Sequence, residues 1–157
     1  MKLLFLDVDG VLNSHKFFKA NPRSRCGTIE QIDQKKVTLL KKIIRDDTTI
    51  VLSSSWRRGD SINEVRKALK KQGIGFSWTT PDLQTFRGIE IAEFISKIIV
   101  FSKPEPITSF VILDDDDDML PWQKPFFIQT SMEDGLTQKH VIEARKILEE
   151  KWKGDES

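Results

Sequence analysis

Cysteine is almost missing from this sequence. Cys26 stands alone among 157 residues, so no internal disulfide can form. One thiol fits a reducing compartment and reads as incidental rather than catalytic. An excess of charge of either sign is missing too, since 25 Lys and Arg face 24 Asp and Glu. A formal net charge of +1 gives no global pull toward nucleic acid or a membrane, so any electrostatic preference must be local. No apolar run approaches the length that crosses a bilayer. The opening stretch, Met1 to Asp7, is too short and too soon cut by Asp7 and Asp9 to act as a secretory signal. Repeats and linkers are lacking as well. The expectation is a single domain over 1–157, cytoplasmic, without a membrane partner, its tail 153–157 frayed.

What is present reads as an ordinary folded chain, because 38% hydrophobic and 31% charged residues exclude a disordered composition. Short apolar runs alternate with helical periods, which predicts an α/β fold with a mainly parallel sheet. Leu3 to Val8 reads as a strand buried on both faces and ending in acid. Residues 13–27 are polar, basic and turn-rich and read as a loop. Thr28-Ile29-Glu30-Gln31 has capping-box spacing, with Ile32, Val37, Leu40 and Ile44 following at a helical period. Thr49 to Ser53 is the second strand. Ser61-Ile62-Asn63-Glu64 is a second capping box, opening a helix that Gly73 ends. Ile74 to Thr79 suggests a third strand, Gly88 to Ile98 a helix, Phe110 to Leu113 a fourth strand and Phe126 to Gln129 a fifth. Thr137 caps the last helix.

In open α/β sheets ligands bind beyond the carboxyl ends of the strands. At those ends stand Asp7-Val8-Asp9-Gly10, Ser53-Ser54-Ser55 and Asp114-Asp115. Carboxylates at two strand ends and hydroxyls at a third suit a phosphate together with magnesium, a hard cation that takes oxygen ligands. An aspartate can accept a phosphoryl group covalently and divide the transfer into two easier displacements. Asp7 and Asp9, two residues apart, point to one side of an extended segment, so that one attacks while the other manages the proton. Gly10 lets the backbone turn away close to the ligand. Acids at the end of a buried strand are costly unless compensated, which weighs against a mere solvated turn. Asp114 and Asp115 follow the apolar Phe110-Val111-Ile112-Leu113 and are taken as site residues. Asp116 and Asp117 read as surface, and the role of Asp118 stays open.

These residues resemble a known family. Leu4-Phe5-Leu6-Asp7-Val8-Asp9-Gly10-Val11-Leu12 is similar to motif one of the haloacid dehalogenase (HAD) superfamily. Ile50-Val51-Leu52 with its serines resembles motif two, and Val111-Ile112-Leu113-Asp114-Asp115 resembles motif four. A closer resemblance is to the small HAD domain of Swiss army knife RNA repair proteins, through Asp9 to Asn13, Ser53 to Arg57, Arg87-Gly88, Leu113 to Asp115 and Gly135-Leu136-Thr137. The resemblance implies a Rossmann-like three-layer fold and a phosphatase dependent on magnesium (Mg2+). It implies Asp7 as nucleophile and metal ligand, and Asp9 as general acid and base with its backbone carbonyl on the metal. Asp114 would bind the metal and Asp115 would assist through water. For the phosphate-binding hydroxyl, strand length favours Ser53, whereas the following Ser55-Trp56-Arg57 favours Ser54, which is chosen. The motif-three cation is Arg87 at a helix start, or Lys103 in Ser102-Lys103-Pro104.

Between the motifs there is no room for a sizeable cap domain, so the site is expected to be open. The resemblance implies that open sites of this kind serve macromolecular phosphates such as a nucleic-acid end, or a nucleotide with some other cover. In the loop, Lys16, Lys19, Arg23 and Arg25 sit beside Phe17 and Phe18, with no acid between Asp9 and Glu30. Cations can track a phosphate backbone and aromatics can stack on bases, or the two rings fold the loop onto the core. Trp56 reads as packing and Arg57 as a loop anchor. The alternatives are a small-molecule or nucleoside monophosphate phosphatase, and a silent binding module on the same fold.

Overall fold

A computed structural model describes residues 1–101 and 105–152. The central strand is β1, Lys2–Leu6, in which Leu3 to Leu6 are fully buried. Burying such side chains stabilises the fold by about 1.5–3 kcal/mol each, relative to leaving them in water. β2 (Thr48–Leu52) and β4 (Ser109–Asp114) flank it, both parallel. β3 (Trp78–Thr79) lies outside β2 and β5 (Phe127–Gln129) outside β4, giving a five-stranded sheet ordered β3-β2-β1-β4-β5 with every pairing parallel.

The strict alternation of strand side chains builds three layers. Leu4, Leu6, Leu52, Val111 and Leu113 pack with α2 (Gln34–Ile43), α3 (Ser61–Lys70) and α5 (Gln138–Glu149). Leu3, Phe5, Val51, Phe110 and Ile112 turn the other way, onto Ile91, Phe94 and Ile95 of α4 (Arg87–Phe101). Strands buried on both faces must be apolar throughout, which is why β1 and β4 read as unbroken runs. Neither the connection after β1 nor that after β2 carries a cap domain among the described residues.

The stretch expected to be a plain loop contains a short helix, α1 (His15–Ala20), which Ser14 caps by accepting from the Phe17 backbone N–H. Thr28 caps only a single 3-10 turn, Ile29–Gln31, because Gln31 reaches back to Gly27. The helix proper starts one turn later, where Asp33 accepts from Lys35 N–H. The second expected box does not close either. Glu64 is drawn to Ile29 N–H and Lys67, and Asp60 precedes the first helical residue, Ser61. β3 is shorter than expected, since as an edge strand it pairs with β2 at only Val51 and Leu52. The tail 153–157 and Lys103 lie outside the described residues.

β1 and β4 are neighbours in space but far apart in the chain. Between them lies the point where the strand order reverses, and there an open α/β sheet forms its ligand crevice.

Candidate active site

The crevice is walled by acids. Asp7 extends the β1 ladder by one bond, its N–H donating to Leu113 carbonyl at 3.0 Å. Asp114 ends β4 and is 1% exposed. Asp7, Asp114 and Asp115 each offer an oxygen to one point, and these oxygens lie within 4.8 Å of one another. Gly10 makes this crowding possible. Its φ is +73°, and a Cβ there would meet the Asp115 side chain at 2.7 Å. The Asp9 carboxyl stands apart from that cluster. The backbone turns at Asp9 and Gly10.

Arg87, the first residue of α4, brings the balancing charge. Its Nε lies 3.3 Å from Asp114 Oδ2 and its guanidinium 4.0 Å from Asp7 Oδ1. The close approach to Asp114 lacks hydrogen-bond alignment, so the buried Oδ2 has no donor. Asp114 Oδ1 accepts from Asp116 N–H at 3.0 Å. Burial pushes Asp114 up to about 8, and the neighbouring Asp7 charge adds to this. Burial also raises Asp7, to about 6, against the pull of Arg87, the Ser54 hydroxyl and the Val8 N–H. Asp115 is raised as well, first by burial and then by Asp116. Three crowded carboxyls and an orphaned buried oxygen are the surroundings that a hard divalent cation neutralises, and the donor set fits one.

These shifts carry a sign that can be measured. The folded chain keeps the Asp7 and Asp114 protons to higher pH than the unfolded chain does. Between about pH 4 and 8 it therefore binds more protons, and without metal its stability falls as pH rises. Asp114→Asn removes one of the two carboxyls responsible and relieves its neighbour. In EDTA, the variant should gain on wild type by on the order of 2 kcal/mol between pH 5 and pH 8. Denaturant melts at the two pH values measure it, and a constant difference would count against buried, proton-holding carboxyls.

Of the two serines, Ser54 lies beside Asp7 and also accepts from Trp56 N–H at 3.2 Å. The Ser53 hydroxyl is buried without a hydrogen-bond partner. Arg57 is indeed a loop anchor, donating to the carbonyls of Ser53, Ser54 and Pro81. Asp116 and Asp117 are exposed, whereas Asp118 has a defined place: its carboxylate accepts from Arg87 N–H at 2.9 Å and fixes the start of α4. Gly88 permits the close approach, since a Cβ there would stand 2.7 Å from Leu120 N.

Three residues near the site do more than their sequence signals imply, Trp56 among them, which reads there as packing alone. Glu90 is buried and accepts from Arg57 at 2.8 Å and Leu83 N–H at 2.9 Å, with Arg87 NH1 3.6 Å away. Its signal was the spacing of three from Arg87 on one helix face. Asn13 and Trp56 both bond Asp9. A buried indole N–H needs an acceptor, which was the available hint for Trp56.

The basic segment is less cationic than its sequence implies. Residues after β5 supply acids: Lys16 pairs with Asp134, and His15 lies 3.6 Å from Glu133. Arg25 pairs with Glu30. Among the described residues Lys19 and Arg23 form no ion pair. Phe17 and Phe18 are half-buried, with ring centroids 6.1 Å apart, and join neither apolar cluster, so they do not fold the loop onto the core.

A parallel Rossmann-like sheet with aspartates at the ends of β1 and β4, a serine after β2 and an arginine opening α4 defines a HAD-type domain. The chain belongs to the family described as the HAD domain in Swiss Army Knife RNA repair proteins, whose model matches residues 3–141. No curated protein and no solved structure gives a significant match. No helix among the described residues is long and apolar enough to cross a membrane.

Proposed function

We propose that the chain is a magnesium-dependent phosphomonoester hydrolase working through an aspartyl phosphate on Asp7. What carries the reading is the convergence of Asp7, Asp114 and Asp115 on one point beside Arg87, with one buried oxygen unpartnered. Asp7, Asp114, Asp115 and the Asp9 carbonyl would hold magnesium, which when bound neutralises charge on the phosphoryl oxygens. Arg87 and the Ser54 hydroxyl bind and orient the phosphoryl group. An Asp7 oxygen attacks phosphorus as the bond to the ester oxygen breaks, and that oxygen takes the Asp9 proton and departs as the alcohol. Water then attacks phosphorus and gives a proton back to the Asp9 carboxylate. Inorganic phosphate leaves, and Asp7 is regenerated.

The discriminating assay is magnesium-dependent hydrolysis of p-nitrophenyl phosphate. A chain that binds phosphate but turns over no phosphoester with magnesium would be a silent module instead. Asp9→Asn should lose about 10²–10⁴-fold on an alkyl phosphate and much less on an activated aryl phosphate, whose leaving group needs no proton. Equal losses on both would remove Asp9 from the acid role.

For the substrate we propose a nucleotide phosphate or a nucleic-acid end, and for the location the cytoplasm. The uncapped crevice, the free Lys19 and Arg23 and the family's occurrence in RNA repair proteins support that substrate. The ion pairs of Lys16 and Arg25 favour a second reading, a small phosphorylated metabolite. Lys19→Ala/Arg23→Ala separates the two. It should raise KM several-fold for a phosphorylated oligonucleotide, with a weaker salt dependence, and leave p-nitrophenyl phosphate unchanged. If neither substrate responds, the small metabolite is the better reading.

A further inference from the structure

The side chain of Asp9 is gripped at both ends. Asn13 Nδ2 donates to Oδ1 at 2.9 Å, and Trp56 Nε1 donates to Oδ2 at 3.0 Å. Both donors are themselves fixed. Asn13 is fully buried and its Oδ1 accepts from Gly10 N–H at 2.9 Å, which sets the amide orientation and aims the NH2 at Asp9. Trp56 is 6% exposed and packs in the core cluster under α2, α3 and α5. Its backbone N–H bonds Ser54 Oγ, and Arg57 holds the same turn to the Ser53 and Ser54 carbonyls. The two donors come from different strand ends, one after β1 and one after β2. Among the described residues no cation pairs with Asp9, so two neutral N–H groups are the side-chain partners that orient it.

We infer that Asn13 and Trp56 are positioning residues for the acid–base step: they hold the Asp9 carboxyl in one orientation beside the crevice. This rests on the reading of Asp9 as the proton donor and acceptor. Proton transfer demands heavy atoms within hydrogen-bond reach along a defined direction, and a displacement of about 1 Å can cost 10²-fold. A carboxyl on an exposed turn would sample several rotamers. One bonded at both oxygens to buried groups keeps one.

Trp56→Phe keeps an aromatic ring and deletes the N–H. On phenyl phosphate, a poor leaving group, it should lower kcat by about 30-fold with KM changed less than about twofold. On p-nitrophenyl phosphate the loss should stay under about threefold. In an Asp9→Asn background the same substitution should cost under about twofold on either substrate, because residues acting as a unit are not additive. An equal cost in both backgrounds would mean that Trp56 only supports the fold, and overturns the inference. A readout independent of turnover completes the test. The Trp56 indole ¹⁵N–¹H resonance of the metal-free protein should move upfield in Asp9→Ala, and an unmoved resonance overturns the clamp alone. Failure of Asp9→Asn to discriminate between the two substrates overturns the acid–base reading, and the positioning role with it.

Discussion

Asp7→Asn is expected to lower turnover of p-nitrophenyl phosphate by at least about 10³-fold while the protein stays folded. The amide has the shape of the carboxylate but cannot form an acyl phosphate. Asp7 is 6% exposed, and its N–H continues the β1 ladder to Leu113, so the backbone has no reason to move. Removing one of three crowded acids should raise metal-free stability above about pH 6, since burial disfavours the charge of Asp7. Loss of activity with an unchanged or higher Tm therefore identifies a chemical defect. Activity within tenfold of wild type would remove Asp7 from the nucleophile's place.

Glu90→Ala carries the largest expected cost in stability. The Glu90 side chain is 3% exposed and bonds Arg57, whose side chain is 5% exposed, while Arg87 lies within 3.6 Å. Burial already pulls the Arg57 guanidinium below its usual range, and Glu90 is the first group that counters it. Deleting the shared acid leaves two cations facing each other beneath the crevice and strips Leu83 N–H of its acceptor. Breaking a buried pair in this way costs about 3–5 kcal/mol. For a chain of this size the Tm should fall by roughly 10 °C. Arg57→Ala/Glu90→Ala should cost less than the two single losses added, because each single variant strands the other's charge. A fall under about 1 kcal/mol in Glu90→Ala would show that Asp82, 3.5 Å from Arg57, already suffices.

Much of this was legible in the residues, for definite reasons. β1, β2 and β4 are buried on both faces, and such strands cannot be written except as apolar runs, so their ends and the acids there stood out. Arg87 at a helix start and Ser54 two before Trp56 came from the resemblance to the HAD motifs, whereas strand length alone favoured Ser53. Less legible was everything decided by contacts between distant segments. The Ser61 capping signal is local, but Glu64 is drawn to Ile29, thirty-five residues back, so the helix starts at Ser61 without its box. The charge of Lys16 depends on Asp134, more than a hundred residues away. The role of Asp118 stayed open because the N–H that it caps belongs to Arg87 at the start of α4. The grip on Asp9 joins Asn13, four residues on, to Trp56, forty-seven on, and no periodicity links them.

The most direct measurement is to trap the phosphoryl group on the protein. Turnover of p-nitrophenyl phosphate with magnesium is quenched in acid, the acyl phosphate is reduced with borohydride, and the digest is read by mass spectrometry. Reduction of an aspartyl phosphate leaves homoserine. Homoserine at position 7, absent without substrate and absent in Asp7→Asn, is the expected result. Steady turnover with no homoserine anywhere, or with homoserine at Asp9, Asp114 or Asp115 instead, would contradict Asp7 as the residue that takes the phosphoryl group.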